Sequence, residues 1–147
     1  VSAKREQLLS LVEREIQQDC ADYLRLRGLM QELYEFLMSR DTARIDVINQ
    51  QVSQLVEDTR LRAERRSKAL GAFRLDADAA GMYRLFELYP GVRRTQLQQY
   101  WSELGQLAAQ CQRLNERNGQ LLAMHNDILV QLLGGSADSG LYGQQSY

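Results

Sequence analysis

The chain reads as an all-α protein: an antiparallel bundle of three long helices with a short connector helix and a flexible C-terminal tail. Three observations carry this expectation. Apolar residues recur over long stretches in alternating steps of three and four, the spacing of one face of a helix. The composition, 44% hydrophobic and rich in Leu, Gln, Glu and Arg, favours helix over strand. The single proline in 147 residues, Pro90, leaves long runs on either side without a helix breaker.

The first helix is expected from about Ser2 to Met38. Stepping from Leu9 by three and four residues meets Val12, Ile16, Asp19, Tyr23, Leu26, Met30, Leu33 and Leu37, of which Asp19 alone is not apolar. At 1.5 Å per residue this helix is roughly 55 Å long. Gly28 lies inside it, but an interior glycine costs about 1 kcal/mol against alanine, too little to break a seam that stays in phase on both sides. In the following "SRDTARID", Asp41 or Thr42 can accept hydrogen bonds from the free amides of a new helix, which predicts a tight helical hairpin. The second helix then runs from about Thr42 to Phe73, with Ile45, Ile48, Val52 and Leu55 inward. Its pattern weakens through Thr59, Arg62 and Arg66, so its second half is expected to be less buried.

The stretch "GAFRLDADAAGMYRLFELYPG" interrupts the periodicity. Gly71 loosens the helix, Asp76 or Asp78 can cap a short one across Met82, Tyr83, Leu85, Phe86 and Leu88, and Pro90-Gly91 ends it. Its apolar face is expected to plug the end of a bundle rather than to line a ligand pocket. A third long seam follows: Leu97, Tyr100, Leu104, Leu107, Cys111, Leu114, Asn118, Leu121, His125, Ile128 and Leu132. Asn118-Gly119 is a strong hairpin signal, yet a turn there would reset the phase, and the seam continues through it unshifted. The helix therefore runs on to Gly134-Gly135. A single helical domain is expected over residues 1–133, and a flexible Gly/Ser-rich tail over 134–147 in which Leu141 and Tyr142 stand out as apolar.

Charge and chemistry exclude several classes. Eighteen Lys and Arg against nineteen Asp and Glu leave a formal charge of −1, which supplies no field for nucleic acid or an anionic membrane. Charges throughout the first thirty residues and the lack of a long apolar run predict a cytoplasmic protein that does not insert into a membrane. Cys20 and Cys111 fall in helical contexts and are expected to be buried, reduced thiols. His125 is the sole histidine, with no Glu-x-x-His pair, no Gly-rich phosphate loop and no nucleophile motif, so neither catalysis, metal nor cofactor is expected. The basic run "RLRAERRSK", Arg60 to Lys68, reads as a solvated face paired locally with carboxylates such as Glu57 and Asp58, or else as a patch for an anionic partner.

The end of the last helix is the candidate functional surface. Leu121, Leu122, Ile128, Leu129, Leu132 and Leu133 supply more apolar surface than one seam needs, and Asn115 and Asn118 share a face just before them. These residues either complete a core, with the asparagines fixing register, or form a helical face for a partner.

"LNERNGQLL" late in the last helix, "RLRAERRSKALGAF" at the end of the second and "LYG" (Leu141 to Gly143) in the tail resemble the FlgN family of flagellar export chaperones, over nearly the whole chain. The resemblance implies binding of the C-terminal helical region of the hook-associated proteins FlgK and FlgL, by Asn115, Asn118, Leu121, Leu122, Ile128, Leu129, Leu132 and Leu133. It also implies docking at the flagellar export gate through Tyr142, although Ser146 stands where the family pattern leads one to expect a glycine. The implied state is a monomer or weak dimer. A different class, a structural or adaptor coiled coil that dimerises through its heptad seams, fits the same periodicity.

Overall fold

The computed structural model describes residues 2–132, with side chains from 3 to 124. Among these residues all regular secondary structure is helical, in four helices: α1 (Ser2–Ser39), α2 (Thr42–Ala72), α3 (Ala79–Phe86) and α4 (Gly91–Leu132). The chain packs as two compact units, to both of which α1, α2 and α4 contribute. The first combines Glu57–Leu107 with the chain up to Leu24; the second combines Arg25–Val56 with the described residues from Ala108 onward.

In the first unit, ion pairs show the sense of the helices. Glu15 meets Arg65 and Asp19 meets Arg62, so α1 and α2 run in opposite directions. Glu13 meets Arg93, and the Cys20 thiol donates to the Tyr100 carbonyl, so α1 and α4 run in the same direction. The core gathers Leu9, Val12 and Ile16 of α1, Ala69 and Leu70 of α2, Met82, Leu85 and Phe86 of α3, then Tyr89 and Leu97. The connector is thus an apolar plug, as its pattern suggested. Phe86 packs edge-on to Trp101 at 5.9 Å between ring centres, and the buried Tyr89 hydroxyl donates to the Leu9 carbonyl at 2.7 Å.

Local chemistry sets the ends of α2 and α3. Arg74 takes a left-handed φ of 59°, its amide donates to Gly71, and the Leu75 amide donates to Leu70. This is a Schellman ending, with Leu75 folding back onto the apolar cluster that contains Leu70. Of the two candidate caps for α3, Asp78 is the one used: its side chain accepts from the Gly81 amide at 2.8 Å. Gly81 is required by close approach, since a Cβ there would lie 1.7 Å from the Asp76 carbonyl oxygen.

The second unit buries Leu26, Leu29, Met30, Leu33 and Leu37 of α1, Ile45, Ile48, Val52 and Leu55 of α2, and Cys111 and Asn118 of α4. Its hairpin uses the same ending: Arg40 has φ 55°, its amide donates to Leu37, and the Asp41 amide donates to Phe36. Asp41, rather than Thr42, then caps α2 by accepting from the Arg44 amide at 3.2 Å.

One expectation is overturned. The second half of α2 is not less buried: Thr59 and Arg62 are 9% and 8% exposed, and Ala69 and Leu70 are buried with them. Charge complementarity replaces apolar contact there. Arg62 donates to Asp19 and Asp22, and Arg66 donates to Asp19 at 2.9 Å while its guanidinium lies over the Trp101 ring at 5.2 Å. Burial works against the Arg62 charge, but its hydrogen bonds to Asp19 and Asp22 outweigh that and hold its pKa above the ordinary arginine value. Asp19, the one polar step in the α1 seam, therefore forms one largely buried cluster with Arg62 and Arg66 of α2. The basic run is accordingly not a purely local one. Arg60 pairs within its own helix, with Glu57 and Glu64, whereas Arg62, Arg65 and Arg66 reach across to α1.

Candidate partner-binding face

α4 runs unbroken through Asn118-Gly119, and its two seam rows behave differently. Leu97, Leu104, Cys111 and Asn118, seven residues apart, are only 1–7% exposed. The alternate row, Tyr100, Leu107, Leu114 and Leu121, is half-buried throughout. In α1 both rows are buried apart from Tyr23. α4 therefore inserts one row and leaves the other at the rim, with apolar area still open to water.

Asn118 sets the register in the second unit. Its amide nitrogen donates to the Met30 carbonyl at 2.9 Å, from a side chain that is 2% exposed. Beyond that tie, α1 continues for nine residues to Ser39, and α4 for fourteen to Leu132. The end of α4 thus outruns α1 by about 7 Å at 1.5 Å per residue.

The candidate residues divide on this frame. Asn118 is internal and ties α4 to α1, the register role that polar seam residues serve. Its remaining oxygen, Oδ1, is buried without a described partner. Asn115, Leu121 and Leu122 are half-buried and border the open row, and Met124, one turn on, is 60% exposed. Ile128, Leu129 and Leu132 lie on α4, but their side chains are outside the described residues, as is that of His125; Leu133 and Tyr142 are outside them altogether.

A groove of about 350 Å³ lies on the same unit, lined by Arg27 and Gln31 of α1 and Gln110, Arg113 and Leu114 of α4. Arg27 Nη1 donates to Gln110 Oε1 at 2.7 Å. One turn along, the Arg117 guanidinium covers the Tyr34 ring at 3.6 Å. The sequence reading missed this groove. The signal for it is the four-three-four-three row Gln110, Leu114, Arg117, Leu121 and Met124, whose polar members an apolar seam passes over.

Cys20 and Cys111 are free and buried, and burial is the main cause that pushes both thiols above their ordinary pKa. Such thiols are poor nucleophiles. Among the described residues no group of His, Cys, Asp and Glu could hold a metal ion, and no helix is long and apolar enough to cross a membrane.

Fold and surface together define an all-helical protein whose last long helix carries a partly covered apolar row. The family model described as FlgN protein matches residues 5–146, almost the entire chain, and the chain belongs to the FlgN family. This is a chaperone family rather than an enzymatic one, and the general role it gives the chain is that of a flagellar export chaperone. No curated protein and no solved structure is significantly similar to the chain.

Proposed function

We propose that this chaperone binds the C-terminal helical region of FlgK and FlgL along the last part of α4, prevents its premature assembly in the cytoplasm, and delivers it to the flagellar export gate. The observation that carries the reading is the half-covered α4 row, continued by a helix end that outruns α1. An amphipathic client helix laid against Leu114, Leu121 and Leu122 would cover it, with Ile128, Leu129, Leu132 and Leu133 extending the contact and Asn115 beside it. Asn118 supports this surface from inside. Residues 1–133 serve as the client-holding domain, while the tail, 134–147, carries Tyr142 to the gate. A permanent dimer through the heptad seams has less to work with, because the α1 and α2 seams are buried within the chain itself.

Calorimetry with the C-terminal segment of FlgK tests the site. Leu121→Asp is expected to weaken binding at least tenfold, about 1.4 kcal/mol. Met124→Asp, at a 60% exposed position that cannot disturb the core, is expected to weaken it several-fold. Unchanged affinity in both folded variants would remove the proposed surface.

A further inference from the structure

We infer that the groove formed by Arg27, Gln31, Gln110, Arg113 and Leu114 receives an acidic side chain, Asp or Glu, projecting from the bound helical partner. The inference rests on the client-binding reading above and adds the chemistry by which a client would be set in register. Two arginines line this groove, and no carboxylate among the described residues does. In the first unit the situation is the reverse. Arg62, Arg65, Arg66 and Arg93 are all committed to acidic residues of α1.

The groove is also partly organised in advance. Gln110 Oε1 holds one arm of the Arg27 guanidinium, which leaves its other N–H groups to donate and reduces the freedom to be lost on binding. Arg113 is exposed on the α4 wall, and Gln31, one turn from Arg27, adds an amide to the α1 wall. A carboxylate is the acceptor that matches forked N–H donors in pairs. The volume of about 350 Å³ is at the small end of ligand sites, suited to a side chain rather than a large molecule.

Position supplies the link to the partner. Leu114 both lines the groove and belongs to the half-covered row, and Leu121 follows it after seven residues, roughly 10 Å along the helix. A client helix that covers Leu121 and lies along α4 therefore passes the groove about two turns away. It would carry its Asp or Glu seven or eight positions from the residue that covers Leu121.

The test is calorimetric titration of the full chain with the FlgK C-terminal segment in 50 mM and 500 mM NaCl. The variants are Arg113→Gln, Arg27→Gln/Arg113→Gln and Leu121→Asp, with the helical circular dichroism signal verifying the fold. Arg113→Gln, at an exposed position, is expected to weaken binding about threefold at low salt and the double variant about tenfold, with both differences shrinking at high salt. Replacing each acidic residue of the segment by Gln should identify one that loses the same factor against the parent and nothing against the double variant. If the double variant binds within twofold of the parent while Leu121→Asp abolishes binding, the groove assignment is wrong and the client face stands. Loss in the arginine variants with an unaffected Leu121→Asp would support the groove and overturn the apolar face. No binding by the folded parent would overturn both.

Discussion

Asp19→Asn tests whether the first unit depends on its buried ion cluster. Asp19 is 1% exposed and accepts from Arg62 and Arg66, while Arg62 is itself only 8% exposed. Asparagine keeps the volume and one acceptor, but it removes the charge and turns an N–H group toward a guanidinium. Breaking a buried pair from one side costs about 3–5 kcal/mol, because the surviving charge is left without compensation. Here Arg62 keeps Asp22 and Arg66 keeps the Trp101 face, so the lower end, about 3 kcal/mol, is expected. A chain of this size loses about 2–4 °C per kcal/mol, which gives a fall of roughly 6–12 °C in Tm. Urea unfolding followed by circular dichroism should show a lower midpoint at unchanged slope. Asp19→Asn/Arg62→Gln should cost less than the sum of its two single changes, since both act on one pair. A loss below about 1 kcal/mol with additive single effects would refute this account of α2's polar half.

Three further outcomes follow from local features. Arg40→Gly and Arg74→Gly should each stabilise the protein by about 1 kcal/mol in urea unfolding, because glycine relieves the left-handed strain both positions carry; destabilisation by either would show that its side chain matters more than its φ. Gly81→Ala should lower stability by about 2–3 kcal/mol, as its Cβ must displace the Asp76 carbonyl, and a neutral result would mean that the turn before α3 yields easily. Stability should also decline in alkali: burial raises the Cys20 and Cys111 pKa values from 9.0 and that of Tyr89 from 10.0, so the folded state keeps these protons longer than the unfolded chain. Their contribution is complete below about pH 9 and is lost as pH rises through the folded values. Tm measured from pH 7 to 11 should therefore fall above pH 9, less steeply in Cys20→Ala/Cys111→Ala; an identical slope in that variant would exclude the thiols as a cause.

Helix identity and phase were readable from residue order, because they depend on near neighbours. The apolar steps from Leu9 to Leu37 marked α1, and the unshifted phase across Asn118-Gly119 outweighed the turn preference of that pair. The caps were readable as alternatives, since Asp41 and Asp78 bond to amides only three residues away. The left-handed endings were not, because glycine is their usual marker and arginine occupies both. Part of the candidate face was visible as a surplus of leucines, but which α4 row would be open was not, since both rows look alike in a periodic pattern.

The sequence by itself thus determined an all-helical chain, the approximate extent of its helices and its family, each of which rests on local spacing or ordered residue types. Only the tertiary structure decided that Asp19 and Arg62, 43 residues apart, neutralise one another in the core. It also decided that Asn118 turns inward to Met30, and that Arg27 and Arg113 share one groove. The physical reason is the same in each case. A charged or amide side chain has its energy set by the partner that desolvation leaves it, and that partner comes from another helix.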